Sequence, residues 1–304
     1  MAEHFVAPPD WLWYILFYFF LAGLSGGSYT IATLLRLRGA PEDAPLSRLG
    51  YYAAWPPLLI CPILLILDLG TPLRFWHMIW NLTPGDAGLN FKYWSPMSLG
   101  VWALIVYSGI ATVSFAETLA RDGKLRMGLT DWLVRVMDGL LGKVFAVVGM
   151  VFALFIAGYT GVLLAVSNQP VWSDTWALGG LFLASGLSGS AALLMFLTRY
   201  RPEARASFGM LAVSERLYAL LEGALIVVFV LTLLWAGTQG LVFGFPWLLL
   251  WIVVLAGLLP GLRGLVVHRL SPTGEAVVAP VAVPLLVLAG VLALRGAIIF
   301  SIQV

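Results

Sequence analysis

Eight stretches of this chain stay apolar for long enough to cross a bilayer, and that constrains it more than any other feature. They run over residues 11–35, 51–69, 96–120, 139–166, 175–198, 216–237, 245–267 and 279–302. A spanning helix needs about 20 mostly apolar residues. In hydrocarbon every backbone N–H and C=O has to be paired within the structure, so each run is expected to be a helix. Only 11% of the 304 residues are charged, against about 25% in soluble domains. The expected class is therefore an all-α integral membrane protein with eight transmembrane helices. A net charge of +2 gives no footprint for nucleic acid. The first residues, "MAEHFVAPPDW", carry no basic segment and no cleavage site, so the first run is expected to be retained. Cys61 is the lone cysteine. One thiol makes no intrachain disulfide and holds neither zinc nor an iron–sulfur cluster, so no bound metal is expected.

The cations orient the bundle. Arg36, Arg38 and Arg48 lie in or beside the first connection, and Arg121, Lys124, Arg126, Arg135 and Lys143 in or beside the third. Arg199, Arg201, Arg205 and Arg216 mark the fifth, and Arg263 and Arg269 the seventh. The other face keeps only Arg74 and Lys92. Basic connections stay in the cytoplasm, which puts both termini on the outer, periplasmic side.

The chain also reads as a duplication. "FLAGLSGGSYTIATLLRLR" (20–38) resembles "FLASGLSGSAALLMFLTRYR" (182–201). Two parallel four-helix bundles, 1–172 and 173–304, would follow. Small-residue helices also resemble one another simply because Gly and Ser let helices approach closely.

Ionisable groups inside a membrane are costly and mark function by default. Glu222 and Arg295 lie within spans, with a buried ion pair or backbone carbonyl partners as the structural alternative. Glu117 is expected to snorkel into the interface. In "ILDLGTPLRFW" (66–76) an apolar run closes on Asp68, with Arg74 six residues on and His77 just beyond. Tyr14, Tyr18 and Tyr159 fall at the same outer end, close to Trp76, Trp80 and "FKYW". An aromatic belt accounts for the tryptophans, but less well for Asp68 and Tyr159. A phenol, an imidazole and a carboxylate beside a lipid-facing cleft suit a quinone, whose carbonyls need donors and whose reduction moves protons.

Taken together and in order, "FLAGLSGGSY", "LDLGTPLRFW", "YWSPMSLGVW" and "AGYTGVLLAVSNQPVW" resemble the NrfD/PsrC family, the quinone-reactive membrane subunits of molybdopterin and iron–sulfur oxidoreductases, polysulfide reductase among them. The resemblance implies a menaquinone or ubiquinone site near the outer face of the first bundle. It also implies a periplasmic ferredoxin-like iron–sulfur subunit docked above that site and a molybdopterin catalytic subunit beyond. Tyr159 matches the tyrosine that contacts quinone, while Tyr18 stands where polysulfide reductase has a histidine and Ile15 where it has an asparagine. Arg216 and Arg295 match arginines proposed for a proton path. The expected catalytic set is Tyr159, Asp68 and His77, with Tyr18 and Arg74 completing the quinone contacts. Arg216, Glu222 and Arg295 form the expected proton path, and Asp68 either relays protons or pairs with Arg74.

Two other readings compete. A secondary transporter also shows repeats and intramembrane charges, but its polar sites pair at the midplane, whereas this outer cluster lies in one half. A haem anchor needs histidines in its spans. His4, His77 and His268 all lie outside them, so no haem is expected.

Overall fold

In a computed structural model the described residues are 7–85, 87–125, 127–262 and 281–303. The long helices are α1 (Trp13–Arg38), α2 (Ala44–Asp68), α3 (Pro96–Arg121), α5 (Leu140–Ala165), α6 (Leu178–Leu197), α7 (Phe208–Ala236) and α10 (Ala282–Phe300). Among the described residues seven helices are long and apolar enough to cross a membrane, and the shorter α9 (Trp247–Leu262) is apolar throughout. The expected run 245–267 passes beyond Leu262 into residues outside the described set, as do Arg126, Arg263, Arg269, His4, His268 and the first residues of run 279–302.

Two local elements depart from the sequence expectation. The third connection contains an amphipathic helix, α4 (Gly128–Met137), with Leu129 and Trp132 exposed. The sixth span begins at Phe208 rather than at Arg216, so two further turns join it. A short helix, α8 (Gln239–Phe243), follows α7, and the second connection folds into a two-stranded ribbon, β1 (Trp80–Asn81) against β2 (Gly88–Leu89).

α1 and α6 are the most buried of the long helices. Both are built from small residues, and an apolar bundle without a hydrophobic drive between its helices gains from close backbone approach. Gly23 and Gly186 hold matching places in the two similar stretches and pack on each other. A Cβ at Gly186 would stand 3.1 Å from the Gly23 Cα. Ser190 Oγ crosses the same seam to donate to the Leu24 carbonyl at 2.9 Å.

α2 carries Pro56, Pro57 and Pro62 in its interior. Each proline withdraws a ladder donor, which membrane helices tolerate when neighbours supply other partners. The carbonyls so freed are those four residues back, on Tyr52, Ala53 and Leu58; Ser25 Oγ donates to the adjacent Ala54 O at 2.7 Å and ties α1 to this weakened stretch. The basic end is knitted by ion pairs. Glu117 does not snorkel; it is buried between Arg36, at 2.8 and 2.9 Å, and Arg121, at 2.8 Å. Arg121 also reaches Asp138 at 2.6 Å.

Candidate functional site

At the end of the bundle opposite those ion pairs, α1 starts, α2 stops at Asp68 and α5 finishes a turn and a half after Tyr159. Tyr159 donates its hydroxyl to the Pro96 carbonyl at 2.7 Å, on the first turn of α3. Its ring stacks on Phe155 with centroids 5.5 Å apart. Gly100 permits this: a Cβ there would fall on the Tyr159 ring. Tyr18 is only 3% exposed and lies within electrostatic range of Tyr159 and Cys61. Among the described residues nothing hydrogen-bonds the Tyr18 hydroxyl. The side chain is buried, yet its hydroxyl oxygen is not fully enclosed, so the O–H stays open to a small partner.

Asp68 is the last, half-buried residue of α2. The chain turns through Gly70 and Thr71 into a 3-10 helix, Pro72–Met78. Asp68 and Arg74 form no ion pair there, so of the two roles open to Asp68 the Arg74 bridge is absent; Arg74 is exposed. His77 Nδ1 donates to the Arg74 carbonyl at 3.1 Å and its ring stacks on Trp76 at 3.9 Å. The connection is sewn to α3 through Asn90, whose side chain donates to the His77 carbonyl at 3.0 Å and whose own carbonyl accepts from Trp102 Nε1 at 3.1 Å. That lacing presents Leu73, Phe75, Trp76, Trp80, Tyr93 and Trp94 outward, Leu73 to 88%. After α5 the chain passes Val171 at φ 68, a costly backbone for a β-branched residue. It is held by Asp174 Oδ2, which accepts the Val171 N–H at 2.8 Å. Next to it the buried Trp172 stacks on Trp11 and donates to Ile298 O at 2.8 Å.

The polar groups of the other half lie deeper. Arg295 is fully buried and makes four hydrogen bonds: to Phe19 O (3.2 Å), Ser185 Oγ (3.0 Å), Val291 O (3.0 Å) and Phe182 O (3.1 Å). Its guanidinium lies over the Phe182 ring. It therefore clamps α1, α6 and α10 through neutral acceptors, with no carboxylate of the described residues in ion-pair contact. Glu222, 4% exposed, has Arg295, Glu215 and Ser188 as its electrostatic neighbours. Ser185 and Ser188 stand one turn apart on α6, one touching Arg295 and the other beside Glu222.

Sequence reading missed Glu215. It is 1% exposed, faces Gly261 of α9, and among the described residues neither carboxylate oxygen has a hydrogen-bond partner. Arg216, the expected residue on that turn, is exposed. The available signal was the seven-residue spacing to Glu222, which puts both acids on one helix face. Among the described residues no cluster of His, Cys, Asp and Glu is placed to hold a metal.

A bundle of apolar helices with phenols at one end and buried ionisable groups in the other half defines a polytopic membrane protein. Its sequence matches the family model "Polysulphide reductase, NrfD" over residues 5–304, and the chain belongs to that family. It is 31% identical over 187 residues to one component of the polysulfide reductase of Wolinella succinogenes, covering 59% of this chain and 55% of that one. Protein NrfD of Escherichia coli K12 is 27% identical over 63% of this chain and 60% of its own length. One component of the selenate reductase of Mesobacillus selenatarsenatis is 24% identical over 62% and 47%. The chain thus spans about half to three-fifths of the relatives it matches.

Proposed function

We propose that this chain is the quinone-reactive membrane subunit of a multisubunit oxidoreductase, exchanging electrons between the membrane quinone pool and an extramembrane iron–sulfur subunit. The observation that carries this is the hydroxyl of the buried Tyr18, free of described partners, not fully enclosed, and in electrostatic range of Tyr159. Family membership and the reductase names of two relatives agree with it.

A quinone carbonyl needs a donor, and Tyr18 has one to give. Tyr159 holds its own proton on Pro96 O and offers its lone pairs, or turns to donate when a head group arrives. Quinone takes up two protons with two electrons. Asp68, at the lip, is placed to pass protons between water and the pocket, with His77 and Arg74 along the rim. The exposed aromatic surface from Leu73 to Trp94 is the docking face for the ferredoxin-like partner, since aromatic side chains dominate binding energy at interfaces. A molybdopterin subunit stands beyond it. In this reading the basic end faces the cytoplasm, α9 is the seventh of eight spans, both termini are periplasmic, and residues 1–172 and 173–304 are the two bundles.

Glu215, Glu222, Ser188 and Arg295 line up along α6, α7 and α10 as a route for protons from the basic end. Arg216 lies exposed at its mouth. Glu215 and Glu222 are two turns apart, about 10 Å of helix rise.

Quinol-linked turnover in membrane vesicles tests the site. Tyr18→Phe and Tyr159→Phe each remove one hydroxyl and nothing else. Both variants are expected to assemble, with turnover falling about tenfold for a lost donor of one to two kcal/mol. Wild-type turnover in both overturns the assignment.

A further inference from the structure

The described structure has a cavity of about 250 Å³ at the basic end, remote from Tyr18 and Tyr159. It opens between the start of α2, the end of α3 and the connection from α6 to α7. Its charged lining is Arg48, Lys124, Arg201, Asp122 and Glu203. Asp122 is already engaged: it accepts from Tyr52 Oη at 2.9 Å, pairs with Arg48 Nε at 3.1 Å and lies 3.9 Å from Lys124 Nζ. Arg48 spends only Nε on that contact, so its two terminal nitrogens keep their donors. Arg201 is exposed and its guanidinium has no described partner. Three cations against two acids leave one positive charge, which matches one phosphodiester.

Below the cavity an aromatic ladder descends the α2–α3 groove toward the middle of the bundle. Tyr52 meets Phe115 edge to face at 5.5 Å, and Trp55 stacks on Phe115 at 4.2 Å. Trp55 is fixed by its Nε1–H on Thr112 Oγ1 at 3.1 Å. Beyond it on α2, Leu59, Ile60 and Ile63 are exposed. A soluble phosphate would use the cations and leave this ladder idle. A phospholipid would use both, with its phosphate in the basic cavity and an acyl chain along the rings.

We propose that this cavity is a specific site for one anionic phospholipid, its phosphodiester held by Arg201, Lys124 and the terminal nitrogens of Arg48. A zwitterionic headgroup would bring an ammonium among three cations and is discriminated against. Basic pockets between spanning helices recognise lipid headgroups in this way.

Native mass spectrometry of the full chain, purified in detergent, tests it. Phosphatidylglycerol and phosphatidylcholine with the same acyl chains are added in competition. Wild-type protein is expected to keep one phosphatidylglycerol in preference to phosphatidylcholine. Arg201→Gln and Lys124→Gln should each cut its retention about fivefold, on the order of one surface cation's attraction. Inorganic phosphate should neither displace the lipid nor be retained. Equal retention of the two lipids by wild type overturns the proposal without any variant. Displacement of phosphatidylglycerol by phosphate makes the site one for a soluble anion and overturns the lipid. Unchanged retention in both variants moves the lipid elsewhere and overturns it too.

Discussion

The two halves of this molecule solve the same packing problem with different polar groups. In the first half the buried charges, Glu117 and Asp43, are paired with arginines at the basic end, and the network within the spans is neutral. Ser25 bonds Tyr107 at 3.0 Å, Tyr29 bonds Ser114 at 2.9 Å, and Thr33 bonds Tyr51 at 3.1 Å. The Tyr29 ring packs edge to face on both Tyr51 and Tyr107. In the second half the spans bury Glu215, Glu222 and Arg295. Ser25 and Ser188 occupy equivalent places, yet one sits among phenols and the other beside a carboxylate. A neutral network costs little to bury once each hydroxyl is paired, and it holds a static scaffold. Buried ionisable groups cost several kcal/mol each, so they persist where they clamp helices together or carry protons. Inside its spans the first half is therefore held by paired hydroxyls, while the second holds buried ionisable groups, one of which, Arg295, ties the two together.

The largest expected effect comes from breaking the clamp. Arg295→Met leaves three carbonyls and the Ser185 hydroxyl without their donor. About 3 to 5 kcal/mol of stability should be lost, as for a buried charge network broken on one side. Unfolding in detergent, followed by intrinsic fluorescence, measures this. A midpoint equal to wild type would mean that side-chain packing, without the guanidinium, holds the α1–α6–α10 junction.

Charge handling is tested next, by Glu222→Gln and Glu215→Gln in vesicles that couple quinone turnover to pH change. The amides keep shape and hydrogen bonding. Electron transfer should continue while coupled proton uptake falls about tenfold, the loss expected when one proton-transfer group is removed. If both rates match wild type in both variants, the acids are structural and the halves differ only in packing.

A smaller effect separates the matching glycines. A Cβ at Gly26 would fall on the Ala153 carbonyl, which is backbone and cannot yield. At Gly189 it would meet only side-chain methyls, Leu24 Cδ2 at 3.2 Å and Val291 Cγ2 at 3.3 Å. Gly26→Ala should cost about 1 to 3 kcal/mol and Gly189→Ala well under about 1 kcal/mol. Equal losses would erase that contrast. A single-group change is Tyr107→Phe, which removes one hydroxyl from the neutral network for about 1 kcal/mol. A larger loss would show that the network acts as a unit.

Much of this was legible in the amino-acid sequence itself. Each described long helix overlaps an apolar run, with α2 and α7 starting two turns earlier than the hydropathy suggests, because a segment that must satisfy its backbone inside hydrocarbon can only be helical. The second connection, with His77, Trp76 and Asp68 at one end, was also readable, because its polar residues interrupt an otherwise apolar text. What failed was pairing. Glu117 lies near a helix end, where snorkelling is the cheap expectation. Only the arrival of Arg36 from α1 and Arg121 from its own helix makes burial favourable.

Glu215 and Arg216 show the limit most plainly. The sequence places them side by side, and a boundary drawn at Arg216 left the acid in a loop. The helix begins at Phe208, and successive residues then point about 100° apart. One is therefore buried against α9 and its neighbour is exposed. By itself the sequence determined that this protein is a bundle of membrane-length helices with phenols and a carboxylate at one end, since hydropathy and backbone satisfaction act along the chain. Only the tertiary structure decided which hydroxyl is left without a partner, which acid is buried alone and which cation clamps the halves. Those outcomes depend on what neighbouring helices bring across a few ångströms, and no spacing along one stretch of sequence encodes it.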